Sequence, residues 1–142
     1  MTTNPRRVMV ATALAARALG LAVVDPVSPS AVDPLAPIAV PEGTPLATLL
    51  AIQLVPAGVD EPDLERALAA DDLRSRVTML ATSTYRDERR QRRMVVEAWA
   101  EVRTFLVAVA DVTERLAARL SNGPLAPREL PQVEWPTLLR VN

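Results

Sequence analysis

Among 142 residues there is no histidine, no cysteine and no lysine, since all 16 basic residues are arginine. This removes the imidazole, thiolate and amine groups behind most nucleophilic catalysis and transition-metal binding, and with them disulfides, Ser-His-Asp triads and Cys-His pairs. A net charge of −1 and a pI near 5.5 oppose bulk attraction to nucleic acid or anionic membrane. Apolar residues make up 49% but aromatics only 3%, so the core must be leucine, valine and alanine, which suits closely packed helices.

The length allows one modest hydrophobic core. The expected fold class is therefore all-α: a small helical bundle built on one long C-terminal helix, with a Pro-rich extended N-terminal arm and a Pro-rich C-terminal tail.

Residues 1 to 24 read as an N-terminal apolar helix. Asn4 is placed to cap it, Pro5 suits the first helical position, and Val8 to Val24 is interrupted only by Thr12, Arg17 and Gly20. A packed helix is favoured over two other readings. Arg6-Arg7, a short apolar run and Ala16-Arg17-Ala18 have the layout of an export signal or membrane anchor, although the run falls short of the roughly 20 residues that span a bilayer. A strand is the remaining alternative.

Residues 25 to 45 carry six prolines: Pro26, Pro29, Pro34, Pro37, Pro41 and Pro45. Each fixes φ, removes a donor and biases its predecessor towards extended geometry, so an extended arm is expected. Val27, Val32, Leu35, Ile38 and Val40 alternate with the prolines, whereas solvated linkers favour serine, glycine and charge. The arm therefore lies on a surface, either its own core or a partner, with Val32, Leu35 and Ile38 as candidate partner contacts.

Residues 46 to 123 read as the helical core domain. Thr44-Pro45 is a cap followed by a first-turn proline, opening a short helix from Leu46 to Val55 that Pro56-Ala57-Gly58 ends. Asp60 is expected to cap the next helix, with Asp71-Asp72 marking a break and Thr82-Ser83-Thr84 the turn before the longest element. From Tyr85 to Leu120 there is neither proline nor glycine, and Asn122-Gly123-Pro124 is a strong stop. Val95, Val102, Val109 and Leu116 recur every seven residues, beside Trp99, Leu106, Thr113 and Leu120, as a bundle seam requires. Glu88 with Arg92 and Asp111 with Arg115 are spaced for ion pairs. Phe105 to Ala110 is apolar on every side and calls for neighbours on more than one face.

Residues 124 to 142 form the tail. Four prolines prevent regular structure, yet Trp135, Leu138, Leu139 and Val141 are costly to leave in water. The expectation is an anchor docked into a partner, with Trp135, Leu138 and Leu139 as its contacts and Trp135 as the main one.

The only strong charge cluster is Arg86, Arg89, Arg90, Arg92 and Arg93 against Asp87 and Glu88, a local +3. The segment from Asp60 to Asp72 has six acids against Arg66, a local −5. Pairing between the two across a helical hairpin accounts for both without a ligand, with a protein partner and then nucleic acid as alternatives. Glu97 and Glu101 lie one turn apart, but a bundle metal site also needs Glu-x-x-His, so they read as a solvated face. The acids near Asp60 lack the pattern of a calcium loop, and the four glycines are scattered singly, which excludes a phosphate loop. No catalytic, cofactor or metal residue is assigned.

These features lead to the expectation of a non-enzymatic structural or assembly subunit of a larger complex, of the kind from which a virion or similar assembly is built, binding its neighbours through extended arms. Its partners would be protein, self or heterologous. Nucleic acid through Arg86 to Arg93, and export or membrane tethering through residues 6 to 24, are the disfavoured alternatives. A cytoplasmic or particle-bound location is favoured over export.

Overall fold

The computed structural model describes residues 5–30 and 33–136. Within them six α-helices and one short two-stranded ribbon share a single core. The all-helical class expected from composition is therefore correct, with a minor β addition.

Helix α1 (Pro5–Ala18) is buried without interruption from Val8 to Ala16. Its only polar group in that stretch, the Thr12 hydroxyl, donates to the Val8 carbonyl at 2.7 Å and is satisfied within the helix. The helix stops earlier than the apolar pattern suggests. Gly20 takes a φ of +82°, its N–H bonds the Arg17 carbonyl, and the Leu21 N–H bonds the Ala16 carbonyl at 2.8 Å. That pair of bonds is the glycine-terminated helix end, and it overrides the hydrophobicity of the residues beyond it. The cap expected at Asn4 lies outside the described residues.

A helix without a polar face needs cover on all sides. Helices α2 (Leu46–Gly58) and α6 (Ala110–Leu120) pack on it directly. The chain beyond Gly20 forms β1 (Ala22–Val23), paired antiparallel with β2 (Ile38–Ala39) in the register Ala22 to Ala39 and Val23 to Ile38. The Pro-rich segment thus folds back instead of extending. Val27 and Leu125, both fully buried, exchange backbone bonds of 2.8 and 2.9 Å, which joins the N-terminal Pro-rich segment to the C-terminal one.

Helix α2 begins at Leu46 with Pro45 in the capping position, and Thr44 bonds the Pro41 carbonyl instead of capping. It runs through Pro56 to Gly58, three residues past the expected end. Proline near a C-terminus forfeits only one internal bond. At Gly58 a Cβ would stand 3.1 Å from both Leu106 Cδ1 and Val102 Cγ1, so the missing side chain lets α2 close against the next long helix. Arg103 donates to the Gly58 carbonyl, placing a cation on this C-terminus.

Helices α3 (Leu64–Ala67) and α4 (Asp71–Thr82) follow. The cap of α3 is Asp63, accepting from the Glu65 N–H at 3.3 Å, not the expected Asp60. Pro62 disfavours helical geometry at Glu61 and postpones the start.

Helix α5 (Glu88–Ala108) starts on Asp87, whose carboxylate accepts the Arg89 N–H at 2.9 Å. The expected single spine from 85 to 121 is two helices, interrupted at Val109 with φ −103° and ψ 12°. No proline or glycine causes this break. The β-branched Val107 and Val109 hold the helix weakly there, and the break lets α5 pack on α2 and α4 while α6 packs on α1. The seam itself is where its spacing places it: Val95, Trp99, Val102, Leu106, Val109, Thr113 and Leu120 are buried and Leu116 is half-buried. Phe105, Leu106 and Val109 face inward, but Val107, Ala108 and Ala110 face solvent, so this stretch does not have neighbours all round.

The tail is clamped on the same body. Arg17 donates to the Pro127 carbonyl at 3.2 Å and to Gln132 Oε1 at 3.3 Å, and Arg119 pairs with Glu129 at 3.0 Å. The Glu129 carboxylate also accepts the Ala126 N–H at 2.7 Å. That bond above all, with the charges of Arg119 and Arg128, lowers the Glu129 pKa against a smaller desolvation effect.

Leu125→Ala should cost about 2–5 kcal/mol and Val102→Asp about 3 kcal/mol or more in thermal melts; melts matching the wild type would mean the tail and the seam lie outside the core. Because folding lowers the Glu129 pKa, its stabilising effect is complete above the ordinary value of about 4.3 and disappears as pH falls through the lower folded value. Glu129→Gln should therefore flatten the acid limb of the stability profile, and a carboxyl titration at or above the ordinary value would contradict the clamp.

Candidate functional site

The residues expected to meet a partner from the Pro-rich segments are placed as follows. Ile38 is buried in β2 opposite Val23. Leu35 is half-buried against the core and lines an open cleft of about 560 Å³ with Gln53, Pro56, Leu73 and Arg76. Trp135 stacks on Phe105 with ring centroids 4.7 Å apart and donates its indole N–H to Glu101 Oε1 at 2.9 Å. The anchoring role expected of Trp135 is thus carried out on its own chain, because Phe105 and Glu101 supply an apolar face and an acceptor side by side. Val32, Leu138 and Leu139 lie outside the described residues.

Glu101 is the residue that sequence reading misplaced. Only 5% exposed, it sits inside the bundle rather than on a solvated face. The signal was its position on the stripe of Ala98 and Phe105, three residues after one and four before the other.

The arginine cluster is where the molecule exposes unbalanced chemistry. Arg86, Arg89, Arg90, Arg92 and Arg93 are all exposed at the start of α5. Pairing with the acidic segment occurs at one of them: Arg92 meets Glu65 at 2.7 Å. Among the described residues, Arg86, Arg89, Arg90 and Arg93 have no carboxylate within 4.0 Å. The expected Glu88–Arg92 and Asp111–Arg115 pairs do not form either, Arg92 being drawn across to α3. A short α3 can reach only the α5 face beside it, which leaves the other arginines unneutralised.

The start of α5 borders two shallow surfaces. One is a groove of about 190 Å³ between α4 and α5, floored by Leu64, Leu68, Val77, Ala81 and Val95 and rimmed by Arg74 and Arg92. The other lies over Tyr85, Arg90, Arg93, Met94 and Glu97. Beyond them the outer face of α5 continues through Val96, 44% exposed, and exposed Ala100 and Thr104 to Val107, 70% exposed. On a 3.6-residue period these four positions align with Arg89 and Arg93.

Among the described residues no group of three or more acidic side chains could hold a metal, and no helix is long and apolar enough to cross a membrane. Comparison with protein-family models, curated proteins and solved structures returned no match.

If the four unpaired arginines serve an outside contact, the fold does not need them. Changing Arg86, Arg89, Arg90 and Arg93 together to glutamine should leave the melting temperature unchanged or slightly raised, because Arg89 and Arg90 oppose the macrodipole in the first turn of α5 by a few tenths of a kcal/mol each. Arg92→Gln should lower stability by no more than about 1 kcal/mol. A large loss on the fourfold change would return the cluster to a structural role.

Proposed function

We propose that this chain is a non-enzymatic assembly subunit whose contact surface is the arginine-headed outer face of α5. One observation carries the reading: among the described residues four exposed arginines without an ion partner crowd the start of α5, Arg89 and Arg90 in the first turn where the macrodipole disfavours cations, and Arg89 and Arg93 continue into exposed valines on the same face. Stability alone would select against that arrangement. An acidic and partly apolar protein surface would satisfy both halves of it.

The composition supports the non-enzymatic part, since histidine, cysteine and lysine are all missing. The proposal moves the contact from the Pro-rich segments to α5, because Ile38, Leu125, Leu130 and Trp135 are engaged with their own chain. Tethering through residues 6 to 24 is disfavoured by the burial of Val8 to Ala16, which would have to leave the bundle to enter a bilayer. Nucleic acid remains the second reading, because unpaired arginines also suit phosphate. Against it stand the interleaved Asp87, Glu88 and Glu97, and a stretch from 82 to 98 in which Tyr85 is the sole aromatic residue.

A photo-crosslinking residue introduced at Val96, with one at Asp72 on α4 as control, tests the reading in producing cells. Discrete protein adducts from Val96 and none from Asp72 are expected. Nucleic-acid adducts from Val96, together with steeply salt-dependent retention of the purified chain on duplex DNA or RNA, would overturn it in favour of the second reading.

A further inference from the structure

We infer that the outer face of α5 pairs with the same face of a second copy, antiparallel, about a two-fold axis at Ala100. The inference deepens the assembly reading above and rests on it.

The residues that face outward are Arg89, Arg93, Val96, Ala100, Thr104 and Val107, all exposed. In an antiparallel pair centred on residue 100, position i meets position 200 − i of the other copy. Ala100 then meets Ala100, the small side chain that a close helix crossing requires. Val96 meets Thr104. Arg93 meets Val107, where the methylenes of the arginine cover the valine while its head stays in water.

The charges are what distinguish this occupant from others. Arg89 is carried toward Asp111 of the second copy, in the first turn of α6, which follows α5 across a one-residue break that keeps the Val109 to Phe105 and Thr113 to Val109 backbone bonds. Arg89 and Asp111 are exposed and have no ion partner among the described residues. The positive end of one α5 thus reaches the acidic start of the other copy's α6, and the two helix dipoles run antiparallel. A parallel pair would instead stack arginine on arginine. Two-fold symmetry makes each favourable contact away from the axis occur twice. A single helix crossing of this length buries on the order of 1,000 Å², the low end for a specific interface, so association should fall in the micromolar range or weaker.

The chain has no native cysteine, which makes the test direct. In the full-length protein, Ala100→Cys on the axis should oxidise to a covalent dimer, whereas Ala118→Cys on the exposed side of α6 should not. Sedimentation over a concentration series should show a reversible dimer. Arg89→Asp and Asp111→Arg should each weaken it about 10-fold, and the double variant should restore it to within about 2-fold. A chain that stays monomeric at millimolar concentration, equal oxidation of the two cysteine variants, or a double variant no better than the singles overturns the pairing. If the Val96 crosslinks then prove to be heterologous, the assembly reading stands and this inference alone fails.

Discussion

The structure depends on the burial of one helix. From Val8 to Ala16, α1 presents nothing but apolar surface and one self-satisfied hydroxyl, so it has no side on which water could be tolerated. At roughly 25 cal/mol per Å² of apolar area, exposing any one face would remove much of the stability of a chain this small. Two helices, α2 and α6, cannot enclose a third. The remaining hydrophobic residues come from segments whose prolines exclude an α-helix and leave only a 3-10 turn at Pro127–Glu129. Val27, Ile38, Leu125 and Leu130, all in Pro-rich stretches, join the same core.

This explains why the two Pro-rich segments meet. Prolines disqualify them from helix and sheet interior, but leave single residues free to make backbone bonds where a neighbour is extended. Val27 and Leu125 form such a pair, and Arg17 and Arg119 tie down the residues that follow. Each clamp is a modest, partly exposed contact. Together they hold in place the apolar side chains that contribute most.

Much of this was legible in the residues. The helical class, the seam from Val95 to Leu120, the buried α2 and the turn after Thr82 follow from period and punctuation, which are local properties. What the residues could not reveal was where an apolar, non-helical segment would be buried. Ile38 and Trp135 demand cover equally in cis or in trans, and only the position of Phe105 and Glu101 settles Trp135. The same limit applies to charge. The acids of 60 to 72 and the arginines of 86 to 93 attract in any reading, but only Arg92 lies within reach of α3. The break at Val109 was hidden because no proline or glycine marks it, its origin being a choice of packing partners for α5 and α6.

The Pro-rich segments complete the chain's own core around α1. Amide hydrogen exchange of the dilute protein reports on this, because the Val27 N–H is held by the Leu125 carbonyl and the Leu125 N–H by the Val27 carbonyl. Both should exchange as slowly as amides in the middle of α1, through global unfolding only. Fast exchange at Val27 and Leu125, with α1 still protected, would contradict it.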